Sequence, residues 1–431
     1  MMIKDSKIAV YGLGHIGIPT AVLLAKNSFN VLGVDVNPKR VSEINNGICP
    51  ITEPGLDELI KSTVNEGYLK ATSNQIKAAS ECNIIIIIVP TPIYNDNKAD
   101  LSYVTNACNN IKKGLKKNDL VIIESTIPPL TVDNIIKPIL EESGLKSGTD
   151  FLLAYSPERA LPNNTLFEMT HNVRVVGGVN LESVNKASKL YSYVTQGSII
   201  KVENITSAEM VKLMENTYRD VNIALANEFA LLCEDLSVDV IDVINAANFH
   251  PRVNIHTPGP GVGGHCISID PYFLIDINKN NKINPSIIKT ARTINESMPA
   301  HVIKILEENI GEIDDDYTIG ILGVAYKGNV EDTRETPSAK VIELLNNKHY
   351  NVYAHDPFVE DNIIESFNVK SVTFKEALSC DCVILMTDHD LYKSITPDMI
   401  LNKFFICTRP ILDPKEFTKK SVNFKGIGRT N

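Results

Sequence analysis

The chain has 431 residues, of which 43% are hydrophobic and 22% charged, and a formal net charge of −10. This length is too great for one hydrophobic core, so two or three domains are expected, with the composition of an ordinary globular protein. The acidic balance argues against a broad surface for nucleic acid or an anionic membrane, although a local basic cluster could still bind an anionic small substrate.

The eight cysteines are scattered along the chain, without a Cys-x-x-Cys pair or zinc-finger spacing. This pattern predicts reduced thiols and no metal site. The N-terminus leads directly into a predicted strand without a signal peptide, and the apolar run Ile84–Pro90 is too short to span a bilayer. We therefore expect a soluble cytoplasmic protein that binds neither nucleic acid nor membrane.

A Gly-x-Gly-x-x-Gly motif follows the first predicted strand, Lys7–Tyr11, and precedes a helical pattern. In a dinucleotide-binding fold, Gly12 makes the tight turn, Gly14 lets backbone approach a pyrophosphate, and Gly17 permits close packing of helix on strand. A second apolar run ends on Asp35, whose carboxylate would bind ribose hydroxyls and disfavour a 2′-phosphate. The motif therefore predicts NAD, rather than NADP, as the cofactor.

Hydroxyl-bearing turns follow the next two predicted strands, Ile84–Val89 and Leu120–Glu124. The carboxyl ends of strands line the ligand crevice of a doubly wound sheet, so Thr91 and Thr126 are candidates to contact the cofactor. The alternative for both threonines is capping of the following helix or turn.

An acid and a base stand side by side after another predicted strand, Phe151–Tyr155. The segment reads Ser-Pro-Glu-Arg-Ala, which makes Glu158 and Arg159 candidate site residues, the alternative being a solvated pair. A further strand, Val173–Val176, closes a first domain that we expect to end near residue 200.

From Ser207 to about Leu236 the sequence has no Pro or Gly, and its apolar residues recur at helical spacing. Such a helix is about 45 Å long, so it can link two domains and offer a dimerisation face. Lys212 and Asn216 lie four residues apart and share one helix face, with Arg219 one turn further on. Lys212 interrupts an apolar stretch, which favours a functional role in the site. The alternative is an ordinary solvent-exposed lysine on the helix surface.

Four glycines fall within six positions just before Cys266, and Asp270 lies four residues beyond that cysteine. Such a loop lets backbone press against something bulky. The arrangement suits a thiolate nucleophile in a tight turn with an acid/base group nearby. The alternative is a Gly-rich connector that ends in a buried, inert cysteine.

The opening pattern of strand, turn, helix, strand and acid recurs over Tyr317–Leu322, Ser338–Asn346 and Tyr350–Ala354, ending near Asp356. A second Rossmann-like domain implies a second nucleotide-shaped ligand. The cations at its predicted crevice are Lys327, Arg334 and Arg409.

Five separated motifs resemble, in order, those of the UDP-glucose/GDP-mannose dehydrogenase family, and the resemblance runs from end to end of the chain. They are the N-terminal glycine motif, Ser156-Pro-Glu-Arg-Ala160, Lys212-Leu-Met-Glu-Asn216, Gly263-Gly-His-Cys266, and Tyr326-Lys327 with Asp332-Thr-Arg334. The blocks at 215–228 and 250–266 are most similar to the branch that oxidises UDP-N-acetyl-D-mannosamine, whereas the UDP-glucose branch commonly has Ser at the position of His265.

The resemblance implies an α/β protein with two Rossmann-like doubly wound domains joined by a long central helix and a helical middle domain. It assigns NAD to residues 1–200, a helical dimerisation domain with the catalytic Lys and Cys to residues 201–310, and UDP to residues 311–431. It also implies a homodimer, or a higher homo-oligomer, built on the central helix.

The family motifs assign site residues position by position. The implied cofactor contacts are Gly12, Gly14, His15, Ile16, Gly17, Asp35, Arg40, Thr91, Thr126 and Arg334. The implied substrate contacts are Arg159, Ala160, Lys212, Asn216, Arg219, His250, Arg252, Gly263, Tyr326, Lys327 and Arg409. In this family the arginine that matches Arg252 can reach into the partner subunit's site.

Two positions depart from the family pattern. Asn329 stands where relatives usually have Asp, and Cys407-Thr-Arg409-Pro410 replaces the usual Asp-x-(Arg/Lys)-Asn/Gly. Arg409 keeps a cation there, but its loop is expected to differ.

The implied reaction oxidises a sugar CH2OH to a carboxylate, which removes two hydrides and uses two NAD+. A Cys266 thiolate would trap the aldehyde as a thiohemiacetal, whose oxidation gives a thioester that water hydrolyses. Lys212 and Asn216 would stabilise the alkoxide and the oxyanions. Either Asp270 or Glu158 would orient the water or act as its base, and the sequence leaves this choice open. The implied catalytic residues are Cys266, Lys212, Asn216, Glu158, Asp270 and Thr126.

Other functions remain open at this stage. UDP-N-acetylglucosamine, and then UDP-glucose, are the alternative substrates. A two-electron hydroxyacid dehydrogenase would share the layout, but it has no use for Gly-Gly-His-Cys or a second nucleotide domain. A non-catalytic NAD-sensing regulator would not explain why Lys212, Asn216 and Cys266 occur together.

Overall fold

The computed structural model describes residues 3–161, 164–277, 284–311 and 316–429. Contacts divide the chain into two units. Unit 1 comprises Met1–Glu215 and Tyr272–Asn281, and unit 2 comprises Asn216–Pro271 and Lys282–Asn431.

Unit 1 is built on an eight-stranded sheet. Its strands are β1 (Lys7–Tyr11), β2 (Asn30–Val34), β3 (Leu69–Thr72), β4 (Ile84–Ile87), β5 (Leu120–Ile123), β6 (Leu152–Tyr155), β7 (Arg174–Gly178) and β8 (Ile199–Lys201). The strand order is β3-β2-β1-β4-β5-β6-β7-β8, and every neighbouring pair is parallel except β6 with β7. Its helices are α1 (Gly17–Lys26), α2 (Pro38–Asn45), α3 (Leu56–Asn65), α4 (Gln75–Glu81), α5 (Ser102–Ile111), α6 (Lys137–Glu141), α7 (Thr165–His171) and α8 (Leu181–Tyr191).

Both faces of this sheet are buried. Along β1, Ile8 and Val10 belong to one hydrophobic cluster, and Ala9 and Tyr11 belong to another. Successive side chains of a strand point to opposite faces, so each face of the sheet carries its own core. Strands buried on both sides are continuous apolar runs, as the four isoleucines of β4 illustrate.

A long helix, α9 (Ile205–Asp235), follows β8 and crosses from unit 1 to unit 2 at the Glu215–Asn216 bond. Two further helices, α10 (Val240–Asn248) and α12 (Ser286–Asn309), lie in unit 2, and α11 (Asp270–Asp276) begins there. Within the described ranges, no helix has the length and apolarity needed to cross a membrane.

Unit 2 contains a six-stranded, fully parallel sheet. Its strands are β9 (Thr318–Leu322), β10 (Asn351–His355), β11 (Lys370–Ser371), β12 (Cys382–Leu385), β13 (Phe404–Cys407) and β14 (Asn423–Gly426), in the order β11-β10-β9-β12-β13-β14. Its remaining helices are α13 (Pro337–Asn347), α14 (Asp361–Glu365), α15 (Phe374–Ser379) and α16 (Pro414–Thr418). The predicted α/β class, with two Rossmann-like sheets and a long central helix, is confirmed.

The same turn opens both sheets. Gly12 and Gly323 each have φ +95° and donate their N–H at 2.8 Å to the last residue of the neighbouring strand. The residue after each glycine donates its N–H to the acid that follows that strand, at 2.9 Å to Asp35 and 2.8 Å to Asp356. The repeat predicted from the sequence is therefore present down to individual hydrogen bonds.

Candidate active site

The glycine turn of unit 1 leaves room for a ligand. A Cβ on Gly12 would lie 2.4 Å from Ile88 O, and one on Gly17 would lie 1.7 Å from Gly12 O, so the fold itself requires both glycines. A Cβ on Gly14 would meet nothing within 4 Å. The backbone at Gly14 therefore borders open space, as the close approach of a pyrophosphate requires.

The N-terminus of α1 has no protein cap. Ile16, at the N-cap position, makes no capping bond, and the first turn contains no acidic residue. His15 precedes it in the same turn. Because the first N–H groups of a helix need acceptors and carry partial positive charge, this turn can bind a phosphate.

Asp35 is fixed at the carboxyl end of β2. Its Oδ2 accepts the Leu13 N–H at 2.9 Å, and its Oδ1 accepts the Asn37 N–H at 2.8 Å. Arg40 Nη1 lies 3.3 Å from Asp35 Oδ2. These contacts hold the carboxylate where an acid of this fold binds ribose hydroxyls.

Two predicted threonines lie after neighbouring strands. The Thr91 hydroxyl is buried and has no hydrogen-bond partner among the residues described here. A buried hydroxyl without a partner costs free energy, which a ligand can offset. Thr126, after β5, is half-buried. The open space at Gly14, the uncapped helix and the Thr91 hydroxyl together fit NAD.

Glu158 is held by several contacts within unit 1. Its Oε1 accepts the backbone N–H groups of Arg159 at 2.7 Å and Ala160 at 2.8 Å. Its Oε2 forms an ion pair with Arg174 Nη1 at 3.0 Å, and Arg174 Nη2 donates to Glu124 Oε1 at 3.0 Å. Burial raises the pKa of Glu124. The sequence prediction missed Arg174, which joins the loops after β5 and β6.

The predicted cations of unit 1 differ in their contacts. Arg159 Nη1 donates to Glu215 Oε1 on α9 at 2.7 Å, and its Nη2 donates to the Val173 carbonyl. Lys212 is half-buried and makes no hydrogen bond or ion pair with the described part of the chain. Lys212 therefore keeps its donors available for a ligand.

The glycine-rich loop of unit 2 packs against predicted substrate residues of the same unit. A Cβ on Gly263 would lie 2.6 Å from Tyr326 Cβ, and one on Gly259 would lie 2.6 Å from Arg409 Nη1. A Cβ on Gly264 would lie 2.9 Å from the Tyr326 ring. The bulky neighbours that require these glycines are therefore side chains of the protein itself.

Cys266 and Asp270 occupy one turn at the end of this loop. The Asp270 N–H donates to Cys266 O at 2.8 Å, and Asn216 Nδ2 on α9 donates to Asp270 Oδ2 at 2.6 Å. Cys266 is half-buried, whereas Asp270 is only 2% exposed. Within unit 2, these hydrogen bonds connect three predicted catalytic residues, Asn216, Cys266 and Asp270.

A charged pair lies beside that turn. The Arg334 side chain donates two hydrogen bonds to the Asp332 carboxylate, from Nε at 2.9 Å and from Nη2 at 2.6 Å. Burial opposes ionisation of Asp332, but these bonds outweigh it and hold the pKa of Asp332 below its usual range. Burial, and then the negative charge of Asp332, raise the pKa of Tyr326. The Gly264 N–H donates to the Arg334 carbonyl at 3.0 Å, which ties the glycine loop to this pair.

The remaining predicted substrate residues are more dispersed. Arg252 and His250 are exposed and lie 3.4 Å apart, from Nη2 to Nε2. Lys327 is exposed, and Arg409 Nε donates to Met386 O at 3.2 Å. No hydrogen bond within the described ranges joins His250, Arg252 or Lys327 to the turn of Cys266.

A buried polar network holds the start of the glycine loop, and the sequence prediction missed it. Asn227 on α9 accepts the Gly259 N–H at 2.8 Å and donates to Asn295 on α12 at 2.9 Å. Asn295 donates to Asp220 at 2.8 Å, and Arg292 donates to the same carboxylate at 2.7 Å. Asp220 and Asn227 are two helical turns apart within an apolar face, a spacing that marks inward-pointing polar groups.

His256 is a second residue that was missed. Its N–H donates to Asn222 Oδ1 at 3.1 Å, and its buried Nε2 has no partner in the described structure. Burial, with the neighbouring charge of Arg219, lowers the pKa of His256. A neutral imidazole nitrogen beside an exposed arginine is suited to bind a polar ligand.

The acid of the second Rossmann-like turn is fully engaged. Asp356 Oδ2 accepts hydrogen bonds from the N–H groups of Val324 and Ala325. It also accepts one from His389 Nε2 at 3.0 Å. Its Oδ1 accepts the N–H groups of Phe358 and the next residue. Asp356 therefore does not offer the ribose site that Asp35 offers, so a nucleotide in unit 2 must bind through other groups.

Three family models match successive parts of the chain. Residues 6–195 match the NAD binding domain of the UDP-glucose/GDP-mannose dehydrogenase family, residues 206–297 its central domain, and residues 320–415 its UDP binding domain. The chain belongs to the UDP-glucose/GDP-mannose dehydrogenase family. The predictions of this family and of NAD as cofactor are confirmed.

Relatives within the UDP-glucose/GDP-mannose dehydrogenase family extend over nearly the whole chain. The UDP-N-acetyl-D-mannosamine dehydrogenase of Methanococcus maripaludis strain C7 is 42% identical over 435 residues, covering 98% of this chain and 97% of that protein. The structure of a UDP-D-ManNAc dehydrogenase from Pyrococcus horikoshii has a TM-score of 0.90 and 40% identity, covering 98% of this chain and 99% of that one. A UDP-glucose dehydrogenase from Pyrobaculum islandicum has a TM-score of 0.89 and 28% identity, covering 98% of each chain.

Proposed function

We propose that this protein catalyses the NAD-dependent, four-electron oxidation of UDP-N-acetyl-D-mannosamine to UDP-N-acetyl-D-mannosaminuronate. The observation that carries the chemistry is the turn in which Cys266 precedes Asp270, with Asn216 bonded to that acid. The sugar assignment is supported by His265 before the cysteine and by relatives at about 40% identity named for this substrate.

The Gly12 turn and Asp35 would hold NAD+, which would supply the hydride acceptor for both oxidations, with a fresh NAD+ for the second. The first oxidation also releases the proton of the sugar hydroxyl to solvent. Between the two oxidations, Cys266 Sγ forms a bond to the aldehyde carbon, and the aldehyde oxygen takes up a proton to give a thiohemiacetal. Loss of the second hydride and of that hydroxyl proton gives a thioester. Water then adds to the thioester carbon, the carbon–sulfur bond breaks, and the thiol is restored with release of the carboxylate.

Asp270 is the better candidate to orient this water. It lies one turn after Cys266, and the Asn216 amide fixes one of its oxygens. Glu158 accepts two backbone N–H groups at Oε1 and forms an ion pair with Arg174 through Oε2. We therefore assign Glu158 a positioning role for the Arg159–Ala160 backbone.

Lys212 supplies positive charge to the alkoxide and the oxyanions. It lies one helical turn before Asn216 on the same face of α9. A cation of this kind stabilises negative charge that develops on oxygen in the transition state.

The protein is further proposed to be a cytoplasmic homodimer of three-domain chains, with domains at residues 1–200, 201–310 and 311–431. The dimer is supported by apolar side chains at seven-residue spacing along α9: Tyr218, Leu225 and Leu232 are 57%, 41% and 53% exposed. Such an exposed apolar stripe on one helix face commonly forms a subunit interface.

The function is tested by measuring NADH formed per sugar nucleotide, and kcat/KM, for the UDP derivatives of N-acetylmannosamine, N-acetylglucosamine and glucose. We expect two NADH per molecule and the highest kcat/KM for the N-acetylmannosamine derivative. A preference for UDP-glucose would overturn the sugar assignment. One NADH per sugar would indicate a two-electron dehydrogenase, and none would indicate a regulator that only binds NAD.

A further inference from the structure

Glu209 is a fully buried carboxylate in unit 1 that the proposed chemistry does not use. It lies on α9, one helical turn before Lys212, and has no exposed surface. A carboxylate in such a position is costly unless it satisfies other buried groups.

Both oxygens of Glu209 accept backbone N–H groups from one loop. Oε2 accepts the Leu130 N–H at 2.7 Å, and Oε1 accepts the Val132 N–H at 3.0 Å. This loop follows β5, which ends at Ile123, and contains Thr126, the predicted cofactor contact. The carboxylate thus joins α9 to the loop four residues after Thr126.

The backbone of this loop is strained where Glu209 holds it. Leu130 has φ +68°, a conformation that bulky residues, unlike glycine, rarely adopt. A π-helical turn, Val132–Ile136, begins two residues later, and its N-cap residue, Thr131, makes no side-chain cap. Strained backbone of this kind persists only when surrounding contacts impose it, and it is concentrated at functional sites.

We propose that Glu209 is a positioning residue, which fixes the loop carrying Thr126 to the turn of α9 that carries Lys212. The inference rests on the proposed NAD-dependent function and on the predicted contact of Thr126 with the cofactor. It extends that proposal by naming the group that sets the position of the threonine. Glu209 itself touches neither substrate nor cofactor.

Glu209→Gln tests this role with little change in side-chain size. The amide oxygen can accept one N–H, but the amide NH2 would oppose the second N–H donor. We expect at least a tenfold lower kcat and a raised KM for NAD+, with the KM for the UDP-sugar unchanged. Hydrogen exchange of the peptide spanning residues 126–136 should become faster. The matched control is Glu203→Gln, which removes an exposed carboxylate before α9 and should behave as wild type.

Each outcome decides for or against the proposal. A wild-type kcat in Glu209→Gln would overturn it even if the loop exchanged faster, because the loop position would then not affect the reaction. A low kcat without faster exchange of residues 126–136, or an equal loss of UDP-sugar binding, would also overturn it. If the Gln variant does not fold, Glu209→Asp carries the same expectations, because its carboxylate is too short to reach both amides. Wild-type turnover with each sugar tests the proposed function separately.

Discussion

Asn216 Nδ2 donates a 2.6 Å hydrogen bond to Asp270 Oδ2, one helical turn after Cys266. Asn216→Ala should lower kcat about 100-fold, the usual cost of one lost oxyanion donor, while leaving the UDP-sugar KM nearly unchanged. Steady-state kinetics measure both values. Asn347→Ala, at an exposed asparagine at the end of α13, is the control. A kcat within twofold of wild type would remove Asn216 from the mechanism.

Cys266→Ser should lower steady-state turnover by several orders of magnitude, because a serine hydroxyl is far less acidic than a thiol. The first hydride transfer needs only the alcohol, a proton acceptor and NAD+. We therefore expect at most a burst of one NADH per site, or a stable ester adduct visible by mass spectrometry. Cys49→Ser, at another half-buried cysteine, should retain activity. Full four-electron turnover in Cys266→Ser would refute covalent catalysis.

Asp35→Ala should weaken NAD binding by roughly 1.5–3 kcal/mol, the value of hydrogen bonds to a charged group. NADP should become less disfavoured, because the negative charge facing a 2′-phosphate is gone. Titration with both dinucleotides measures the two effects. Asp57→Ala, at an exposed acid of α3, serves as the control. Unchanged affinity and selectivity would show that the N-terminal glycine motif does not bind the cofactor as proposed.

Asn329→Asp should destabilise unit 2. Asn329 has φ +59°, donates to Asp390 Oδ2 at 2.7 Å and accepts the Asp390 N–H at 3.0 Å. An aspartate would place two carboxylates together, so the urea midpoint should fall, and salt should reduce the loss. Adding Asp390→Asn should restore the midpoint, because the amide at position 390 can then donate to the carboxylate at position 329. An unchanged midpoint in the single variant would contradict this account of the family departure.

Glu209 should make stability depend on pH. Burial, despite two accepted N–H groups, raises the pKa of Glu209 from 4.5 to about 7, and Asp133 adds to the rise. The folded state therefore binds this proton more tightly than the unfolded state. Its contribution is complete below pH 4.5 and is lost as the pH rises through 7, a change of roughly 3 kcal/mol. Urea unfolding at about pH 5 and about pH 8 should show this loss in wild type but not in Glu209→Gln.

The sequence was most informative where apolar runs are long. The predicted bounds of β1 match the structure, and α9 differs by one or two residues at each end. Predicted strands at Ile84–Val89 and Leu120–Glu124 end two residues and one residue earlier, at Ile87 and Ile123. The edge strands β3, β8, β11 and β14 were missed, because they are short and polar residues interrupt their apolar runs, unlike the equally short β4 and β5.

For the site, residues inside recognisable motifs were predicted, but the groups that hold them were not. Arg174 acts through Glu124, which is 50 residues away in the chain, and Asn227 acts through Asn295, 68 residues away. Neither pairing leaves a local spacing pattern. The role of Glu209 depends likewise on the backbone of Leu130, 79 residues distant. Such roles follow from the tertiary structure alone.

The His389–Asp356 bond has a consequence for inhibitor design. The glycine turns at Gly12 and Gly323 have nearly equal geometry, so each could bind a mimic of an adenine dinucleotide. In unit 2, however, the His389 imidazole already donates a hydrogen bond to Asp356, the acid of that turn. A mimic that depends on a carboxylate–ribose contact should therefore titrate at one equivalent per chain. Selective compounds for the sugar-nucleotide half must be built on contacts other than a ribose diol, and need not resemble the cofactor.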